Sequence, residues 1–282
     1  MNALLLISIV LLVSAQDVTK KIYNKRAAVP GTYFFVMISS ASAALFFALT
    51  SGRLEFNTGI IPYSIFFAVS YTACVVGSVT AIASGPLSLT SLIASFSLML
   101  PTLYGLIFLD EPIKIGFFPG LALLCASLFL VNKRDEDVKI NVKWVIGVIF
   151  TFLGNGFCTV SQKMQQRAFN GDYKNEFMII ALLITALVTG IMVLTKEGSI
   201  VKKQTIGGYA IGVCCGAANG AANLFVMILS GLMPVSLMFP IISAGGIIAT
   251  FIVSTVFYKE KLSKLQLIGF VLGTASVILL NL

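Results

Sequence analysis

The sequence predicts an all-α integral membrane protein, with ten transmembrane helices arranged as two inverted five-helix repeats. Three observations predict it. Of 282 residues, 58% are hydrophobic and only 11% charged, against about 45–50% and about 25% in a soluble domain. Apolar runs long enough to cross a bilayer follow one another along the whole chain. The residues that close the first half recur in order at the C-terminus.

The charge deficit excludes a water-soluble surface for a chain of this length. The net charge of +8 lies in short basic clusters between apolar runs and not on a stripe with interleaved aromatics, which speaks against nucleic acid as a partner. Such clusters are the positive loops that orient membrane helices. Cys74, Cys125, Cys158, Cys214 and Cys215 all fall inside apolar segments, without metal-type spacing or the loop positions of a disulfide framework, and are read as small packing residues. With no histidine in the chain, Ser-His and Cys-His nucleophile pairs and His-ligated metals are excluded together. A membrane-embedded enzyme would need such a pair, convergent carboxylates or a metal cluster, and a P-loop for direct ATP drive is missing too. No catalytic residue, metal or cofactor is expected.

A hydrocarbon core of about 30 Å requires roughly 20 apolar residues per helix. Ten segments meet this or nearly so: 2–18, 32–50, 60–84, 87–109, 115–131, 142–164, 176–195, 206–229, 235–257 and 265–280. The first imitates a signal peptide, because Val13-Ser14-Ala15 resembles a cleavage site, but it lacks a basic n-region. Its charges, Lys20, Lys21, Lys25 and Arg26, follow the apolar run, as in a retained helix. Segments three and four are separated only by Gly85-Pro86, a break that proline enforces on itself and on its predecessor. Segments five and ten are at the short limit.

Residues 108–132 align without a gap on 257–281: Phe108 with Phe257, Glu111 with Glu260, Gly120 with Gly269, Ala126-Ser127 with Ala275-Ser276, Asn132 with Asn281. With one residue of slippage, Pro86-x-Ser88-Leu89 answers Pro234-x-Ser236-Leu237. The chain therefore divides into a first repeat, 1–134, a linker, 135–141, and a second repeat, 142–282. An odd number of helices per repeat makes the second enter the membrane from the opposite side. Two copies of one fold in opposite orientations can exchange conformations and so open to either side of a site between them.

At the repeat ends a resemblance becomes specific. Phe108-Leu109-Asp110-Glu111, Gly120 and the run Leu123 to Val131 resemble the close of an EamA domain, the five-helix unit of the drug/metabolite transporter superfamily. Phe257-Tyr258-Lys259-Glu260, Gly269 and the following apolar run resemble it again, so that two tandem domains cover nearly the whole chain. The resemblance implies a ten-helix bundle, a central cavity lined mainly by helices 1, 3, 4, 6, 8 and 9, and export or exchange of amino acids, metabolites, nucleotide-linked sugars or drugs. Small multidrug members of the superfamily carry a proton-binding glutamate midway along their first helix. Here that helix holds no glutamate and Asp17 lies about a turn closer to the loop, so drug antiport of that kind is not implied.

Gly208, Gly212, Gly216 and Gly220 recur every four residues and present a smooth face for close helix contact; Ala73, Gly77, Ala81 and Gly85 do the same in the third segment. Beside the glycines, Asn219 and Asn223 share a face, where they either glue helices together or line a wet cavity. Asn155, Gln162 and Tyr71, with Ser78 and Thr80, are candidates of the same kind, although a lone Ser or Thr usually bonds its own helix. Asp17 and Lys163 are the ionisable residues nearest membrane depth: Asp17 reads as a cavity residue or as the ion-pair partner of Lys20 and Lys21, and Lys163 as a snorkelling side chain. Glu111 and Glu260, each just before a helix, suit its N-terminus and read as structural repeat markers. Pro101 and Pro240 are positioned to kink the fourth and ninth helices.

The expected function is secondary transport of a small-molecule substrate, as exporter or exchanger, with proton or counter-substrate coupling, in the cell membrane. The alternative is a membrane scaffold or dimerising protein. A mid-membrane pocket of roughly 300 Å³ or more favours transport. Most of the 19 lysines and arginines fall in the loops after segments one, five, seven and nine, which places those loops in the cytoplasm and both termini outside. Members of the resembled superfamily are generally expected to have both termini inside.

Overall fold

The computed structural model describes residues 2–26, 31–84, 90, 94, 96–97, 99–109, 115–131, 141–201, 203–239, 241–243, 245–246, 249 and 264–281. Among them there is no strand. The helices are α1 (Asn2–Arg26), α2 (Thr32–Thr50), α3 (Ile61–Ser84), α4 (Met99–Phe108), α5 (Phe117–Val131), α6 (Val142–Ala168), α7 (Lys174–Lys196), α8 (Ile206–Leu232) and α9 (Lys264–Asn281), with one-turn helices at Thr58–Ile60 and Gly198–Val201. Residues 235–239 and 241–243, in the expected ninth segment, are helical as well.

Six described helices are long and apolar enough to cross a membrane: those within Asn2–Asn24, Thr32–Thr50, Thr58–Ser84, Val142–Ala168, Lys174–Lys196 and Ile206–Leu232. Met99–Phe108 and Phe117–Ser127 are apolar but shorter. The chain is a multi-pass, membrane-embedded helical protein. Its outward surface agrees, because Leu4, Leu11, Leu45, Leu49, Ile107, Leu187 and Leu194 are exposed where water would not tolerate so continuous an apolar coat.

Two boundaries differ from the hydropathy reading. α1 continues to Arg26, so Asp17, Lys20 and Lys21 stand on a helix and not in a loop; nothing between Ala15 and Arg26 breaks a helix, since no glycine or proline occurs there. α6 runs to Ala168 through the polar Gln165-Gln166-Arg167. It stops where Asn170 and Gly171 adopt φ of 51° and 88°, left-handed geometry that ends helices. Glu111, Glu260, Gly85, Pro86, Pro240 and the body of the linker lie outside the described residues.

In lipid, helices associate through close packing and polar contacts, and glycine decides where. α3 runs antiparallel to α6 in the largest described interhelical contact. A Cβ on Gly154 would stand 2.5 Å from the Ser70 carbonyl oxygen and 2.6 Å from the Cys74 nitrogen, and one on Gly77 would stand 2.6 Å from the Gly147 oxygen. α8 presents its glycines to α2: Gly212 faces Ile38, Gly216 the Ser39 carbonyl and Ser42, and Gly220 Phe46. Gly208 departs from this row and faces Gln204 and Tyr23. α2 also packs on α7, α1 on α8, α3 on α7 and α5 on α9. Phe34, Phe35, Phe47, Phe67, Phe177, Met178 and Leu182 fill the space between α2, α3 and α7.

Glu197, just beyond α7, is buried although it is a carboxylate. Its two oxygens accept from the Tyr33 and Phe34 amides at 3.1 and 2.8 Å, satisfying donors that the start of α2 leaves open. The Tyr23 hydroxyl, bonded to Gly31 at 3.1 Å, closes the same corner from α1. Charge-assisted bonds of this kind contribute about 1.5–3 kcal/mol each. Glu197→Ala is therefore expected to lower stability by about 2–4 kcal/mol, and Glu197→Gln by less, because one carbonyl acceptor remains. Thermal unfolding in detergent measures both.

Candidate functional site: a polar cavity within the helix bundle

Between these helices lies a cavity of about 250 Å³, below the ~300–1,000 Å³ of drug-sized sites. Its wall takes Gln16 and Lys20 from α1, Tyr71 and Ser78 from α3, Asn155, Thr159 and Gln162 from α6, and Asn219 and Asn223 from α8. Thr90 and Ala94 from the fourth segment, Phe239, Ile242 and Ser243 from the ninth, and Phe35 and Ser39 from α2 complete it. Around it the bundle is apolar. An amide in such surroundings costs free energy unless a partner meets it, so the hydrogen bonds define the site.

The amides form one chain. Asn219 Nδ2 donates to Gln16 Oε1 at 2.9 Å, joining α8 to α1. One turn on, Asn223 Nδ2 donates to the Asn219 carbonyl at 3.0 Å, and Gln162 Nε2 donates to Asn223 Oδ1 at 2.8 Å, bringing in α6. Gln162 also reaches Met178 Sδ on α7 at 3.8 Å. Asn219 Oδ1 is left with no protein partner, on a side chain only 8% exposed that lines the cavity. The site thus holds one buried acceptor that no protein donor meets and that this conformation closes off.

Asn155 is held from the fourth segment: its Nδ2 donates to Ser97 Oγ at 2.6 Å. Ser97 stands in a turn, with its backbone oxygen taken by Leu100 N at 3.1 Å and its hydroxyl bonded to the Ala94 carbonyl. Four residues later comes Pro101, which has no N–H for the Ser97 carbonyl and whose ring crowds it. The proline sets the interruption, and the interruption turns Ser97 toward Asn155. Trp144 Nε1, bonded to Thr90 Oγ1 at 2.9 Å, ties the same segment to the start of α6.

Of the residues singled out in the sequence, Tyr71, Asn155, Gln162, Asn219 and Asn223 come together on this wall. Asn219 and Asn223 both join helices and line the cavity. The side chain of Asp17 lies outside the described residues. Lys163 Nζ donates to the Ser230 carbonyl of α8 at 2.8 Å, an oxygen near the end of that helix. Thr80 bonds its own helix through Val76 O at 2.7 Å. The sequence reading missed Gln16, which an amide at the end of an otherwise apolar run could have signalled. It also missed Ser97, whose role follows from Pro101. The expected packing cysteines include three, Cys74, Cys158 and Cys215, that lie on the cavity wall beside Tyr71.

No known protein family matches the chain, and no curated protein does. Solved structures do match. One crystal structure of a protein aligns over 100% of this chain and 98% of its own length, with a TM-score of 0.79 and 15% sequence identity. The likeness is one of fold.

Proposed function

We propose that the chain is a secondary transporter of small organic metabolites working by alternating access, built from two inverted EamA-like repeats, residues 1–134 and 142–282. One observation carries this reading: a polar cavity within an apolar membrane bundle, walled by helices from both proposed repeats and bridged between them by the Gln16–Asn219 bond. A polar cavity enclosed by an apolar bundle is what a carrier needs to receive a solute.

The helix contacts support the repeat. Exchanging helices one to five for six to ten turns the α3–α6 contact into α8–α1, and the α8–α2 contact into α3–α7, while α2–α7 and the α5–α9 pair map onto themselves. Ser127 on α5 donates to the carbonyl of Gly269 on α9 at 2.6 Å, joining two residues of the repeated motif across that self-mapped pair. The wall draws on the first, third, fourth, sixth, eighth and ninth segments that the resemblance implies, and on the second as well. At about 250 Å³ the cavity falls short of the roughly 300 Å³ expected to favour transport, and it suits a small metabolite better than a bulky drug. The proposed location is the cell membrane, and the charge distribution puts both termini outside.

Reconstitution into liposomes with a panel of metabolites, with and without an imposed pH gradient, tests the proposal. Saturable uptake of at least one compound above empty liposomes is expected. Flux equal to that of empty liposomes throughout returns the protein to the scaffold reading.

A further inference from the structure

A second cavity, of about 450 Å³, lies on the outside of the bundle between α3, α6 and α7. Ala68, Val69, Ala73, Val76 and Gly77 form its floor, Ile146 and Phe150 one bank, and Val188 and Met192 the other. Its two threonines turn their hydroxyls inward to their own helix, Thr72 to the Ala68 carbonyl and Thr80 to that of Val76, both at 2.7 Å. They therefore show the groove only methyl groups. Nothing on the wall invites a polar occupant, and the small residues of α3 keep the floor deep.

One end of the groove is different. α6 runs antiparallel to α7, so the start of α6 and the end of α7 meet there, with Tyr33 from the start of α2. Lys143 stands one turn before Ile146 and Gly147 on the same face of α6, and Lys196 one turn after Met192 on the same face of α7. Both lysines are exposed, and neither has an ion pair among the described residues. Lys196 Nζ rests 5.5 Å from the centre of the Tyr33 ring. The neighbouring carboxylate, Glu197, is turned inward and spent on the Tyr33 and Phe34 amides.

We propose that this groove is a binding site for an anionic phospholipid, with an acyl chain along α3 and the headgroup phosphate between Lys196 and Lys143 at the Tyr33 end. The occupant must be hydrocarbon along the wall and anionic at one end, and a membrane anion is the molecule with that division. A second copy of the chain would bring an apolar helix to the groove but no anion to meet two ammonium groups that have no ion pair among the described residues.

Native mass spectrometry of the full-length protein, released from micelles doped with phosphatidylglycerol or with phosphatidylcholine of identical chains, tests it. One phosphatidylglycerol should be retained in preference to phosphatidylcholine. Lys143→Gln and Lys196→Gln should each weaken that preference about fivefold, and the pair about 25-fold, given the usual contribution of a lysine at an anionic surface. The matched pair Arg53→Gln and Lys174→Gln, at the opposite end of the bundle, should leave it unchanged. Ala73→Phe, or Val188→Phe where the first variant yields no folded protein, should displace the lipid by filling the groove. Equal retention of the two lipids overturns the proposal, as does an equal loss in the matched pair or retention that survives the filled groove. Dimers abolished by the filling substitution assign the groove to a second copy and overturn it too.

Discussion

Gly154→Leu is expected to abolish folded, monodisperse protein. A Cβ at this position would stand 2.5 Å from the Ser70 oxygen, 2.6 Å from the Cys74 nitrogen and 2.9 Å from the Cys74 Cα, so every neighbour is backbone and none can swing aside. Overpacking a core costs about 1–3 kcal/mol when side chains can adjust; here α3 and α6 must separate, at a cost of about 3 kcal/mol or more. Because Gly77 and Gly147 sit in the same crossing, the separation would propagate along its length. Gly52→Ala is the comparison: nothing lies within 4 Å of that added carbon, and a shift within about 0.5 kcal/mol is expected, as for an ordinary surface change. Size-exclusion profiles and thermal unfolding in detergent distinguish the two, and a Gly154→Leu protein that melts like the parent refutes the crossing.

Asn223→Ala is expected to lower flux per folded molecule tenfold or more, which corresponds to about 1.4 kcal/mol in the transport step. Asn223 accepts from Gln162 at 2.8 Å and donates to the Asn219 carbonyl at 3.0 Å, so its removal opens the middle of the amide chain and leaves Gln162 Nε2 with only the weak Met178 Sδ acceptor. The same loss should reduce stability by about 1–3 kcal/mol, detectable as a lower melting temperature with yield largely kept. The outcome that counts against a carrier role is the reverse pattern: yield lost, flux per molecule unchanged.

The local devices could be read early. Asn57, Asn141 and Thr205 cap their helices through side-chain oxygens, as residues of these types do at a helix start. The stripe from Gly212 to Gly220 marks a close crossing because a small face every four residues is a property of one helix alone. Pro101 was positioned to kink the fourth helix for the same reason, and the turn at Ser97 lies four residues before it. Helix ends were harder. Hydropathy stops at the first charges, whereas the backbone of α1 stays helical to Arg26 because no residue there forbids it.

The site was legible only in its residue types. Asn219 and Asn223 announce a polar face, but Gln16 lies 203 residues from Asn219 and its role appears only once α1 is laid on α8. Lys163 and Glu197 show the same limit: hydropathy names no partner for either, while the fold gives the first the Ser230 carbonyl and the second the start of α2. The sequence by itself determined that this chain lives in a membrane and where its long helices run, because lipid forces each segment to satisfy its own backbone and each residue to declare its hydropathy locally. Tertiary structure alone decided which helix meets which, which amides share a cavity and which groove stays open. Those are matters of shape and partner across hundreds of residues, and no local periodicity encodes them.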